Sequence, residues 1–256
     1  MKKLLFLISL FTLTLSAQDY YIHAGKMFDS KEGKMLDKMT IIVSGTEIKG
    51  VKKGFEIPDS DNIIIDLKDS TVMPGFIDLH VHMESEYNPE KYLNEFTAEE
   101  SEIAFSSIKF AKRTLMAGFT TVRDLGGSGV NISLRNAINK GEVIGPRIFT
   151  AGKAIGTTGG HADPTNGWKK SIAGDPGPQD GVINGVDDAR KAVRERYKNG
   201  ADVIKITATG GVMSIAKNGQ NPQFTIEEIK AICETAKDYD MTVAAHAHGD
   251  EGIQRA

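Results

Sequence analysis

Two histidines, His80 and His82, close the run Pro74-Gly75-Phe76-Ile77-Asp78-Leu79-His80-Val81-His82. On a strand, successive side chains alternate between faces, so residues two apart project the same way and two imidazoles can close on one metal ion. The segment ahead of them, Val72 to Leu79, is short, apolar and bounded by turn-prone residues, the pattern of a buried strand. The histidines then stand at its C-terminal end, where barrels of parallel strands carry their chemistry. Alone, the pair does not separate a metal site from an ordinary histidine-rich strand end.

Lys205 adds a second clue. It sits in Gly200-Ala201-Asp202-Val203-Ile204-Lys205-Ile206-Thr207, an apolar strand that would normally exclude an ammonium group. An unpaired buried charge is expensive, so this lysine is expected to be neutralised, paired or chemically modified, and a carboxylated lysine can bridge two metals. A lysine snorkelling from a strand end is the plainer alternative. Further on, Val243-Ala244-Ala245-His246-Ala247-His248-Gly249 ends another apolar strand with two histidines on one face. Three strand ends carrying metal-ligand residue types point to one joint site.

The elements that would position these residues can be read along the chain. From Tyr20 to Thr71, short β-rich runs (Tyr20–His23, Thr40–Val43, Asn62–Leu67) are punctuated by Gly25, Gly33, Gly45, Gly50 and Gly54, which reads as a small all-β unit of hairpins at residues 18–73. From Pro74 the pattern changes to strand–helix alternation. Strands are expected at Phe119–Leu125, Arg147–Gly152, Ala201–Thr207 and Met241–Ala247, with helices near Thr97–Ala117, Ile132–Asn139, Val186–Asn199 and Thr225–Tyr239. Repeated βα units imply a parallel sheet, either a barrel or a doubly wound layer. Gly156 to Gly185, rich in Gly and Pro, reads as one long loop after the strand at Arg147–Gly152, and such loops are commonly functional.

A chain of 256 residues with 40% hydrophobic content can bury a sizeable core. A net charge of -3, with Lys and Arg dispersed, leaves no electrostatic footprint for nucleic acid. Cys233 is the one cysteine, so neither a disulfide framework nor a cysteine-ligated zinc site can be built within the chain, and a buried structural thiol is expected. Lys2 and Lys3, the apolar stretch Leu4 to Leu15 and the small pair Ser16-Ala17 outline a secretory leader over residues 1–17. The stretch is too short to span a bilayer comfortably, so cleavage and export to a periplasm or beyond, without a stable membrane anchor, are expected.

Beyond these local readings the chain resembles the amidohydrolase superfamily, in particular the branch that holds imidazolonepropionase and secreted Xaa-Pro dipeptidases. The resemblance is carried by residues 74–82, by Gly118-Phe119-Thr120-Thr121-Val122-Arg123-Asp124, by Gly159-Gly160-His161, and by the strands around Lys205 and His246, in matching order from about Tyr20 onward. It implies a (β/α)8 TIM-like barrel, its first five strands in residues 74–256, with a small β-sandwich built from both chain termini. It further implies two divalent metal ions, zinc as a rule, held by His80 and His82, bridged by carboxylated Lys205 and completed by His246. Iron, manganese or cobalt would suit the same ligands. His161, His248 and Arg123 are placed to meet substrate, and for His248 the alternative is the ligand role given to His246. For His161 the alternative is a loop residue bonded to its own backbone; for Arg123 it is a structural ion pair, with Asp124 or a neighbouring strand.

The family completes this site with a histidine on the sixth strand and an aspartate on the eighth, which handles the protons; neither position occurs here, so no catalytic residue is assigned. The chain is accordingly expected to be a fragment of a longer protein or a natural truncation, and inactive alone. The implied activity is hydrolysis of carbon–nitrogen bonds in a dipeptide or other small molecule. Export favours an Xaa-Pro-type dipeptidase over histidine catabolism. Xaa-Arg or Xaa-Lys dipeptides, N-acyl amino acids and cyclic amides are alternatives, as is an inactive metal-binding module. A homo-oligomer is compatible with the sequence.

Overall fold

The structure, a computed structural model, describes residues 18–256 apart from Ser60, Met213, Ala216 and Lys217. The expected leader lies outside the described residues. The chain divides into two compact units, Met1–Pro74 and Gly75–Ala256.

In the first unit, β1 (Asp19–Asp29), β2 (Lys34–Ser44), β3 (Glu47–Lys53) and β4 (Ile63–Val72) form one sheet in the order β3-β2-β1-β4. The β1/β2 and β2/β3 pairs are antiparallel hairpins, but β4 lies parallel to β1, so the hairpin expectation holds for three of the four strands. The connection after Lys53 carries the chain past β2 and β1 before β4 begins, the crossover that parallel pairing requires. Strand β3 has no apolar alternation to betray it. Its sequence, Glu-Ile-Lys-Gly-Val-Lys-Lys, is almost wholly exposed, and lysines on an edge strand discourage pairing with other chains. Ala24, Met27, Met39 and Ile41 form the core.

The second unit runs β5 (Phe76–Val81), α1 (Lys91–Thr97), α2 (Glu100–Met116), β6 (Phe119–Asp124), α3 (Val130–Asn139), β7 (Arg147–Thr150), β8 (Gly156–Thr157), α4 (Lys170–Ala173), β9 (Val182–Ile183), α5 (Val186–Lys198), β10 (Val203–Thr207), α6 (Ile226–Asp238), β11 (Thr242–His246) and α7 (Asp250–Arg255). Strands β5, β6 and β7 pair in parallel, as do β10 and β11. A parallel bridge between Ile155 and Ile206 joins the two ribbons, with Ile155 N–H donating to Lys205 C=O at 2.8 Å and Thr207 N–H to Ile155 C=O at 3.0 Å. The result is a partial TIM-barrel-type sheet in the order β5-β6-β7-β10-β11.

Alternation along β10 shows how one strand serves two layers. Ile204 and Ile206 pack with Val193 of α5 and with Ile229 and Ile232 of α6, while Val203, Lys205 and Thr207 take the opposite face. Helix α6 begins with a reciprocal cap: Glu228 N–H donates to Thr225 Oγ1 at 3.3 Å and Thr225 N–H to Glu228 Oε2 at 2.8 Å. Asp202 ties three elements, accepting from Thr150 N–H at 2.9 Å and pairing with Arg135 of α3.

Three sequence readings need adjustment. The helix expected at Thr97–Ala117 is α2, which starts at Glu100 because the backbone is extended at Ala98 and Glu99, and the short α1 before it was not expected. The loop from Gly156 to Gly185 contains α4 and the parallel pair β8/β9, and Arg196, 2% exposed, fastens its flanks by donating to Lys153 C=O at 2.7 Å and Pro178 C=O at 3.4 Å. Cys233 is exposed rather than buried: Ile229, Ile232 and Ala236 take the core face of α6 and leave it outside.

Candidate metal centre

Register fixes the first relations. On β10 and β11, Lys205 lies beside Ala244 and Thr207 beside His246, so His246 stands one strand step beyond the lysine on the same face. His80 is the next-to-last residue of β5 and His82 follows the strand, their rings 5.3 Å apart and edge-on. Across the site the His161 ring lies 4.7 Å from that of His246, which lies 4.8 Å from that of His248. His161 rests on the backbone of Gly211, where a Cβ would come within 2.4 Å of the ring, so any larger residue would displace the histidine.

Backbone carbonyls set two tautomers. His82 Nδ1 lies 2.8 Å from Gly126 C=O and His246 Nε2 lies 3.0 Å from Gly210 C=O. A carbonyl only accepts, so these nitrogens carry the protons, leaving His82 Nε2 and His246 Nδ1 as lone-pair donors. His161 Nδ1 is buried with no hydrogen-bond partner.

The electrostatics are one-signed. Lys205 is 4% exposed, and burial, helped by Arg123, brings its pKa down to about 8. Its Nζ makes no hydrogen bond or ion pair among the described residues. Burial first, then the charges of Lys205, His82, His246 and Arg123, hold His80 below the usual imidazole range. His161 is lowered by burial, then by His246, Lys205, His82 and His248. His246 is lowered by burial and by Lys205 and His248, against the bond to Gly210, which raises it. These effects favour the neutral forms of His80, His161 and His246, the form in which imidazoles bind metals.

Among the described residues no three His, Cys, Asp or Glu side chains gather closely enough to hold a metal ion by themselves. The histidines form two groups, His80 with His82 and His161 with His246 and His248; the charge of Lys205 acts on members of both. The donor set therefore fits a divalent cation when the lysine contributes: neutral imidazoles with free lone pairs, one orphaned ring nitrogen, and a buried amine without a partner.

A sequence profile of the amidohydrolase family matches residues 71–256. The chain belongs to the amidohydrolase family. It is similar to a Xaa-Pro dipeptidase solved with methionine in its active site, at 51% identity and a TM-score of 0.89 over 93% of this chain and 59% of that one. A prolidase solved with N-methylphosphonate-L-proline is 35% identical, with a TM-score of 0.82 over 93% of this chain and 58% of that one. Ochratoxinase of Aspergillus niger is 32% identical over 255 residues, 92% of this chain and 51% of that protein. The chain thus spans about half the length of this curated relative.

The other expected site residues fall as follows. Arg123 shares the inner face with Lys205, because Val122 on the same strand packs outward against Ala111 and Leu134. Its Nε donates to Leu79 C=O at 2.7 Å. The alternative ion pair with Asp124 is not made, since adjacent strand residues point to opposite faces. His161 N–H donates to Gln223 Oε1 at 2.8 Å and its Nδ1 has no partner, so it is not bonded to its own backbone there. His248 N–H donates to Thr209 Oγ1 at 3.0 Å, which fixes the turn after β11. Sequence reasoning missed Gly126, Gly210 and Gln223, which act through backbone or from 62 residues away. It also passed over Asp124, 0% exposed, whose carboxyl burial pushes up to about 6 despite bonds from Met83, Gly126 and Asn131. A carboxylate at a helix-facing strand position was the available signal.

Proposed function

We propose that the protein carrying this chain is an exported, metal-dependent hydrolase of carbon–nitrogen bonds, acting on Xaa-Pro-type dipeptides. The observation that carries the reading is the buried Lys205 amine, without a partner and surrounded by neutral imidazoles, in a chain 51% identical to a Xaa-Pro dipeptidase. His80 and His82 would hold one metal, His246 a second, and carboxylated Lys205 would bridge them. Bound divalent cations supply polarisation of a substrate carbonyl and ionisation of water near neutral pH. With a pKa near 8, the Lys205 amine is partly neutral under mild conditions and can add to the carbon of carbon dioxide. One amine proton leaves to solvent, and the lysine then carries a carbamate, the negative charge that the imidazoles lack. His161, with one ring nitrogen unclaimed, and His248, beyond His246, would contact the substrate, and Arg123 would receive its carboxylate. Export rests on the basic and apolar leader at residues 1–17.

The test is metal analysis of the protein expressed from its full reading frame, beside hydrolysis of Xaa-Pro, Xaa-Arg and N-acyl amino acid panels. Lys205→Ala is expected to lose most of the metal, with partial rescue by short carboxylates, and His246→Asn to lose metal where His248→Asn keeps it and raises KM. Full metal content in Lys205→Ala, or turnover confined to substrates other than Xaa-Pro, overturns the corresponding part.

A further inference from the structure

We propose that Asp124 is a positioning residue for His82: it fixes which ring nitrogen carries the proton by holding both the amide after His82 and the loop whose carbonyl receives His82 Nδ1–H. Beyond the paired ends of β5 and β6 the two chains stay fastened. Leu125 N–H donates to Val81 C=O at 3.1 Å, Met83 N–H to Asp124 Oδ2 at 3.1 Å, and Gly126 N–H to Asp124 Oδ1 at 3.2 Å. Gly126 then presents its carbonyl 2.8 Å from His82 Nδ1, at a φ of 145° that L side chains rarely adopt. Asn131, itself 0% exposed, donates Nδ2 to Asp124 Oδ1 at 3.2 Å and holds the carboxylate in place.

The choice of residue follows from donor counting. Three N–H groups converge on this side chain, and a carboxylate is acceptor-only at both oxygens, whereas an amide would aim its own NH2 at one of them. Released from Asp124, the Gly126 carbonyl would no longer be fixed against His82, and the proton could move to Nε2, the nitrogen needed for a metal. The metal consequence rests on the function proposed above; the tautomer does not.

The experiment uses the protein from its full reading frame, labelled with 15N-histidine and stripped of metal, followed by zinc titration. Wild type should show His82 protonated on Nδ1 alone. Asp124→Asn should give a mixture of His82 tautomers, leave the His246 tautomer unchanged, and bind zinc about 10–100-fold more weakly, the usual cost of losing a partner of a metal-ligating histidine. Asn131→Ala, which keeps the carboxylate and its two backbone bonds, should move both readouts the same way by less, and decides the question if Asp124→Asn does not fold. A wild-type tautomer and zinc affinity in the folded variant, or equal shifts at His82 and His246, would overturn the proposal. Wild type that binds no zinc would remove the metal reading while the tautomer still decides the role of Asp124.

Discussion

His80 and His82 leave a strand, β5, that pairs with one neighbour among the described residues and exposes Phe76, Ile77 and Leu79 at 47, 62 and 58%. Lys205 stands instead on β10, where every residue is buried and Ile204 and Ile206 are 0 and 1% exposed beneath α5 and α6. The first side is held by directional bonds: Asp124 to Met83 and Gly126, and Glu84 accepting from Ser128 N–H at 2.6 Å and Asn131 N–H at 2.8 Å. The second is held by apolar packing. A site assembled from both should weaken on its polar side as pH rises, and on its packed side with lost side-chain volume and, through Lys205, as pH falls.

The largest effect is expected from the packed side. Ile232→Ala removes a side chain that is 0% exposed between β10 and α6 and should destabilise by about 2–5 kcal/mol in denaturant titration, nearly independent of pH. A loss under about 1 kcal/mol would mean that packing does not hold this side.

The next effect sharpens the contrast by sign. Asp124 has its folded pKa raised from 3.8 to about 6, so its contribution to stability is fully present below 3.8 and lost as pH rises through about 6. Lys205 has its pKa lowered from 10.5 to about 8, so its contribution is present above 10.5 and lost as pH falls through about 8. In metal-free protein each window should be worth up to about 3 kcal/mol, at 1.36 kcal/mol for each unit of pKa. Unfolding measured from pH 4 to 10.5 in wild type, Asp124→Asn and Lys205→Met should show the acid slope vanish in the first variant and the alkaline slope in the second. Slopes that persist in both variants would assign the titrations to other groups.

The smallest effect lies at the edge of the packed side. Thr225→Ala removes the side chain that accepts Glu228 N–H at the start of α6 and should cost about 1 kcal/mol by thermal unfolding, leaving metal content unchanged. A change in metal content would show that the α6 cap is coupled to Lys205.

Much of this arrangement was legible in the sequence because it follows from short periods. Short apolar runs located β6, β7, β10 and β11, and the helical spacing α3, α5 and α6, to within about two residues, while the run expected at Val72–Leu79 overlaps β5 only from Phe76 on. Edge strand β3 was not legible, because an exposed, lysine-rich strand has no apolar face to reveal it. Cys233 was misplaced by the same logic in reverse: a small apolar residue on an amphipathic helix reads as core, and only the docking of Ile229 and Ile232 shows which face is outside.

The sequence by itself determined which residue types stand at strand ends, and that His80 shares a face with His82 and His246 with His248, since strand alternation is local. Tertiary structure alone decided the state of those groups. The protons on His82 and His246 are set by Gly126 and Gly210 carbonyls 44 and 36 residues away, and the lowered pKa of Lys205 by burial under neighbouring strands. Hydrogen-bond partners and desolvation depend on which distant segments meet, and no local period in a chain encodes that.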